Sequence, residues 1–198
     1  MWTGLILAGG AATRMGRDKA LLRLGGKTLL ERAVDQVRRA GGDPVVVGPP
    51  RPGLPLHGVR RLDEAAAGGG REGPLAALRF GLRATGAPFA VALACDLPLL
   101  TEALLRRLAA EAPDWEAVVP RADGELQVLC AAWGRGCLPA MDAGVAAGER
   151  ALHRVLGRIR TRYLEDADLA ACGGAGMFLN VNTPEDLARA AAILEGGG

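Results

Sequence analysis

The 198-residue sequence predicts one doubly wound α/β domain, a mainly parallel sheet with helices on both faces. Three observations lead there. Short apolar segments alternate with stretches of helical spacing. Most of these segments are uniformly apolar, as strands covered on both faces must be. Glycine-rich or acidic residues follow several of them directly, where such a sheet keeps its binding crevice. The length predicts one domain spanning 1–198, large enough to bury a core without disulfides or metals as staples.

Residues 3–8 read as a buried strand that enters a glycine-rich turn at 9–18. Thr28-Leu29-Leu30-Glu31 has capping-box spacing, in which the hydroxyl and the carboxylate satisfy amides at a helix start. The helix it opens has the apolar face Leu29, Leu30, Ala33, Val34 and Val37, and Gly41-Gly42 ends it. A second buried strand occupies 44–47, and four prolines between 49 and 55 dictate an irregular connection. A short strand at 59–62 ends at Asp63, and the patternless run at 65–73 is a surface loop. Residues 75–82 are helical, and 88–94 form a strongly apolar strand ending at Cys95-Asp96. Thr101 caps a helix through Ala112; strands at 118–119 and 127–133 follow, then helices near 137–146 and 150–156. Asn180-Val181-Asn182 leads into Thr183-Pro184, an N-cap with proline at the first helical position, and the last helix runs to about Leu194.

Composition removes several function classes. No run of about 18 apolar residues occurs, so no membrane span is expected, and the first residues lack the basic leader of a secretory signal. A net charge of +2 and only seven aromatic side chains argue against a nucleic-acid partner. Cys95, Cys130, Cys137 and Cys172 have no metal-finger spacing, and three sit in apolar runs; reduced core thiols of a cytoplasmic protein are expected. The chain contains no serine, which excludes a Ser-His-Asp hydrolase. His57, in the proline-rich connection, and His153, on a helix, carry no catalytic signal.

The cations are unevenly typed: 22 arginines against two lysines, Lys19 and Lys27. A compact ammonium suits a point contact with phosphate in a tight loop, which a planar guanidinium does not. For Lys27 chance is an equal explanation; Lys19 has a motif around it. After Leu7-Ala8-Gly9-Gly10, the glycines at 9, 10 and 16 let backbone amides turn toward an anion, and Arg14, Arg17 and Lys19 add charge. The run is neither a Walker A loop nor a GxGxxG fingerprint. Asp96 ends an apolar strand, where a carboxylate is costly unless paired or bound to a cation. Magnesium is the natural choice beside phosphates. Asp63 either contacts substrate or merely starts its loop.

These residues resemble the molybdenum cofactor guanylyltransferase family, also called molybdopterin-guanine dinucleotide biosynthesis protein A. Four blocks carry the resemblance in order: residues 7–19 (LAGGxxxRMGxDK) with Ala20-Leu21-Leu22 and Gly26-Lys27-Thr28-Leu29; Gly73-Pro74-Leu75-Ala76; Asp96-Leu97-Pro98; and residues 180–187. The resemblance implies a Rossmann-like nucleotidyltransferase with a nucleotide half at about 1–100 and an acceptor half at about 101–198. It implies that Leu7, Ala8 and Gly9, with Gly10 beside them, hold a guanine nucleotide through the backbone, and that Lys19 contacts its phosphates. Asp63 would contact the nucleotide, and Asp96 both nucleotide and Mg²⁺. Asn180 and Asn182 lie where the pterin docks, just ahead of a helix N-terminus able to receive an anion. Arg14, Lys19 and Asp96 form the implied catalytic set.

The implied substrates are GTP and molybdopterin, and contact with other molybdenum cofactor biosynthesis proteins is a further implied partnership. The pterin's terminal phosphate attacks the α-phosphorus of GTP and pyrophosphate leaves. Two departures stand out: Gly48 where relatives often have asparagine, and Gln127 where some place histidine before proline. One rival is a cytidylyltransferase on molybdopterin or another small phosphate; such enzymes tend to read LAAG, with alanine at the position of Gly9. The other is a non-catalytic nucleotide-binding regulatory protein, against which Arg14, Lys19 and Asp96 together speak.

Overall fold

A computed structural model describes residues 1–9, 18–51, 53–54, 56–64 and 73–196. In chain order it contains β1 (Trp2–Leu7), a 3-10 turn at Lys19–Leu21, β2 (Arg23–Leu24), β3 (Lys27–Thr28), α1 (Leu29–Arg39), β4 (Gly42–Val47) and β5 (Arg60–Leu62). There follow α2 (Pro74–Thr85), β6 (Phe89–Ala94), α3 (Glu102–Glu111), β7 (Ala117–Ala122), β8 (Glu125–Leu126) and β9 (Cys130–Gly134). The chain continues with α4 (Leu138–Ala146), α5 (His153–Leu156), β10 (Thr161–Leu164), α6 (Asp166–Ala170) and α7 (Pro184–Gly196).

Among the described residues the main sheet has the order β10-β7-β9-β6-β1-β4-β5, with β8 paired to β7. Successive side chains of a strand point to opposite faces, and the core divides accordingly. Ile6, Val46, Val91 and Leu93 pack under α1 and α3, against Leu30, Val34, Val37, Leu104, Leu105 and Leu108. Leu5, Leu7, Val45, Val47 and Ala92 face the other way, against Leu75, Leu78 and Leu82 of α2 and Met141 of α4. This is the expected doubly wound arrangement. The capping box at the start of α1 forms as its spacing requires: the Glu31 amide donates to Thr28 Oγ1 (3.1 Å) and the Thr28 amide to Glu31 Oε2 (2.7 Å).

Several features differ from the sequence reading. β9 runs antiparallel to both β6 and β7, while the pairs β1–β4, β1–β6, β4–β5 and β7–β10 are parallel. All five residues of β9 are buried. A strand covered on both faces is apolar throughout whichever way it runs, so its composition carries no direction. The second difference is β10 and α6, which no sequence signal announced. β10 is an edge strand of four residues, three of them only partly buried, and so lacks an apolar run. The expected strand at 127–133 starts later, at Cys130, because Glu125–Leu126 turns back on β7 first. The four cysteines are free and buried. Among the described residues no helix is long and apolar enough to cross a membrane.

Candidate active site

The parallel register sets Leu7 level with Val47 on one side and with Ala94 on the other. β1, β4 and β6 therefore end together, and the strand order reverses between β1 and β6, where a doubly wound sheet opens its crevice. A cleft of about 490 Å³ lies there, lined by Leu7, Ala8, Gly9, Lys19, Asp63, Asp96 and Asn180 among others. His57 and His153 are not part of its lining.

Lys19 sits between Asp96 and Asn182. Its ammonium lies 3.4 Å from Asp96 Oδ2 and donates a hydrogen bond to Asn182 Oδ1. The preceding residue orients it. Asp18 caps the 3-10 turn by accepting from the Ala20 amide (3.0 Å). Asp96 has one oxygen toward Lys19 and the other, Oδ1, buried with no hydrogen-bond partner among the described residues. An orphaned carboxylate oxygen in a protein interior calls for an explanation, and a cation on the cleft side supplies one. The donor set fits magnesium, which takes one or two carboxylates and fills its remaining positions with phosphate and water oxygens. The turn carrying Asp96 is braced from below: buried Gln36 of α1 donates through Nε2 to the carbonyls of Pro98 (2.9 Å) and Leu100 (3.1 Å).

The segment 180–182 is fastened to the same turn, since the Val181 amide donates to the Asp96 carbonyl at 2.9 Å. Val181 is fully buried with Leu24, Leu29 and Ala190, while Asn180 lines the cleft and Asn182 accepts from Lys19. One expectation is corrected here. The helix N-terminus after Asn182 is not open to an anion, because Asp186 Oδ2 already accepts from the amides of Asn182 and Thr183, both at 2.9 Å. Those bonds, the one from Asn182 foremost, hold the Asp186 carboxyl below its ordinary value. The N-terminus that does reach the cleft belongs to α2. Gly73, Pro74 and Ala77 line the cleft, Gly73 has no side chain to cap the helix, and the first turn holds no acidic residue. Its dipole favours negative charge there.

The opposite wall is backbone. At Gly9 a β-carbon would meet no described atom within 4 Å. At Gly48 it would come within 2.8 Å of the Ala8 carbonyl carbon and 3.0 Å of the Gly9 nitrogen, and φ there is +150°. The exit of β4 thus lies directly on the backbone of residues 8–9, which leaves room only for glycine. Beyond it, Arg51 is 8% exposed and bonds Asp18 through Nε (2.6 Å) and Nη2 (3.1 Å), and the Ala8 carbonyl through Nη2 (2.6 Å). Cys95 also lines the cleft, but burial, foremost, pushes its thiol up to about 12, so it stays protonated and inert at neutral pH.

Residues 4–164 match the family of MobA-like NTP transferase domains. The molybdenum cofactor guanylyltransferase of Rhodobacter capsulatus is 37% identical over 198 residues, covering 94% of this chain and 93% of that protein. The chain belongs to the molybdenum cofactor guanylyltransferase family of MobA-like NTP transferases. Its fold is also that of solved structures. A molybdopterin-guanine dinucleotide biosynthesis protein A from Archaeoglobus fulgidus superposes with a TM-score of 0.82 at 23% identity, covering 98% of this chain and 99% of that one. A Mycobacterium tuberculosis protein solved in complex with manganese gives 0.69 at 24% identity, covering 96% and 97%.

Against this family's implied site, Leu7, Ala8, Gly9, Lys19, Asp63, Asp96 and Asn180 all reach one cleft, and Asn182 joins it through Lys19. Gly10 and Arg14 lie outside the described residues, as do most of the turn at 9–18 and of the loop at 65–73. Arg51 and Gln36 carry no sequence signal that assigns them to the site; the start of α2 is the block Gly73-Pro74-Leu75-Ala76, which the resemblance marks without giving it a role. Arg51 is one arginine among 22, in a proline-rich run with no pattern, and its partners Ala8 and Asp18 are 43 and 33 positions away.

Proposed function

We propose that this nucleotidyltransferase moves GMP from GTP to the terminal phosphate of molybdopterin and releases pyrophosphate, a step of molybdenum cofactor assembly. The observation that carries this reading is Lys19, held between Asp96 at the end of β6 and Asn182 before α7. One ammonium thereby touches both the strand-end carboxylate of the nucleotide half and the asparagine segment of the acceptor half.

The acceptor phosphate already bears negative charge, so the chain needs no nucleophile of its own. An oxygen of that phosphate bonds to the α-phosphorus of GTP, the α–β bridging bond breaks, and its electron pair leaves on pyrophosphate. Catalysis then consists of alignment and of countering charge on the α-phosphate and the leaving group. Lys19 supplies a fixed positive charge, and the start of α2 adds its dipole. Arg14 belongs to the same set in this reading. Asp96 would hold a magnesium ion, which supplies further positive charge beside the phosphates. The backbone at 7–9 forms the wall beside the base, with the Ala8 amide and carbonyl already bonded to Val47 and Arg51, and the space free of described atoms over Gly9 favours a purine over a pyrimidine. Asp63, at the end of β5, borders the same space.

The test is pyrophosphate release with GTP or CTP, each with and without molybdopterin. Release that requires GTP, molybdopterin and a divalent cation together supports the reading. Release with CTP alone makes the chain a cytidylyltransferase. GTP binding without any release makes it a regulatory binder.

A further inference from the structure

Arg51 does not line the cleft, yet it is the most fully buried charged side chain in the fold's described core. Its guanidinium spends itself on three backbone or side-chain partners at once. Nε and Nη2 grip the two oxygens of Asp18, Nη2 also reaches the Ala8 carbonyl, and Nη1 donates to the Pro49 carbonyl at 3.2 Å. Ala8 precedes the glycine-rich segment of the sequence and Asp18 follows it. Ala8 belongs to the backbone wall, whereas Asp18 caps the turn on which Lys19 is the first residue. Two elements of the cleft that no strand pairing connects are therefore joined through one side chain.

We propose that Arg51 is a positioning residue for the nucleotide: it fixes the separation between the 7–9 backbone and the Asp18-Lys19 corner, so that wall and ammonium meet one triphosphate together. Gly48 supports this from the same connection, because its close approach to Ala8 and Gly9 leaves that backbone one place to lie. Only arginine meets the geometry. Its planar fork sets Nε and Nη2 on the two oxygens of Asp18 while Nη2 reaches Ala8 and Nη1 reaches Pro49, whereas an ammonium is a single point that cannot hold Asp18 in a fork and reach Pro49 as well. Asp18 is the exposed end of the pair, with 35% of its side chain accessible against 8% for Arg51. Removing Arg51 therefore leaves a carboxylate that water still reaches.

The inference rests on the cleft being a GTP site, and the experiment separates the two. GTP binding and steady-state kinetics are measured for the wild type, Arg51→Lys, Arg51→Met, Asp18→Asn and the double variant Asp18→Asn/Arg51→Met, with thermal melts alongside. Each single variant is expected to raise the KM for GTP about 10-fold, the equivalent of one charge-assisted hydrogen bond, with the KM for molybdopterin within about twofold of wild type. The double variant is expected to be no worse than the worse single one, as for two groups acting as a unit. If Arg51→Met does not fold, Arg51→Lys and Asp18→Asn carry the comparison. A wild type that binds no GTP overturns the site reading and this assignment with it. Wild-type binding with folded variants whose GTP KM is unchanged, or whose two KM values rise alike, overturns the assignment of Arg51 alone.

Discussion

The Lys19 ammonium donates to the Asn182 side-chain carbonyl across 163 positions of sequence, and the same ammonium lies 3.4 Å from Asp96. The contact joins the end of a glycine-rich turn to a segment that the family resemblance assigns to the other substrate. It changes what a substitution in that segment should do.

Asn182→Ala is expected to weaken both substrates. Lys19 loses an acceptor and swings freely toward Asp96, so kcat/KM for GTP falls about 10-fold, the size of one hydrogen bond to a charged group. Pterin binding falls as well. Separate titrations of GTP and molybdopterin check this, and a loss confined to molybdopterin would remove Asn182 from the nucleotide side.

Lys19→Arg keeps the charge but not the shape. A guanidinium is too broad for the gap between Asp96 and Asn182 and makes no single point contact. Turnover should drop at least ~10-fold with the fold intact. Near-wild-type pyrophosphate release by a folded Lys19→Arg protein would show that the lysine is incidental.

Asp96→Asn should reduce magnesium-dependent turnover by ~10²-fold or more, as removal of one strong electrostatic contact in a transition state does. The amide preserves size and leaves the Val181–Asp96 backbone bond in place. Apo stability holds or rises, because a buried oxygen without a partner is a liability. Pyrophosphate release against Mg²⁺ concentration, with a melt as control, decides the matter. Speed unchanged at ordinary magnesium would refute the metal-ligand role.

Gly9 and Gly48 should respond to alanine in opposite ways. At Gly9 the methyl meets no described atom within 4 Å, so the melt is expected to be unchanged and the preference for GTP over CTP to narrow. At Gly48 the methyl meets the Ala8 carbonyl at 2.8 Å from a left-handed backbone, and stability falls by about 1–3 kcal/mol. Denaturant melts and a GTP/CTP competition on both variants read the contrast.

Asp168 carries the acid dependence of the far edge of the sheet. The Glu165 amide (3.1 Å) and then the Arg107 guanidinium (2.7 Å) hold its carboxyl below the ordinary value of 3.8. A group depressed in the fold contributes stability above its unfolded value, and loses it as pH falls through the folded one. Asp168→Asn should therefore lower Tm at pH 7 by roughly 2–4 °C, about 1 kcal/mol, with the gap closing as pH falls below the ordinary carboxylate range and through the depressed folded value. A gap that persists undiminished in acid would mean that packing, not charge, is what the substitution removes.

The sequence by itself determined the class of fold, the two-sided core and the loops that carry chemistry. Those follow from local rules: apolar runs with no alternation, a capping box, glycines and an acidic residue at strand ends. Through its resemblance it also pointed to Lys19, Asp96 and the two asparagines. Tertiary structure alone decided the direction of β9, the presence of β10, and every contact that turns these residues into one site. The reason is physical. Burial on both faces erases directional information from a strand, and an edge strand of partly exposed residues leaves no hydrophobic period to read. Arg51 reaching Ala8 and Asp18, Gln36 bracing Pro98, and Asn182 receiving Lys19 each depend on where distant elements stop in space. No spacing along the chain encodes that distance; the register of β1 between β4 and β6 sets it.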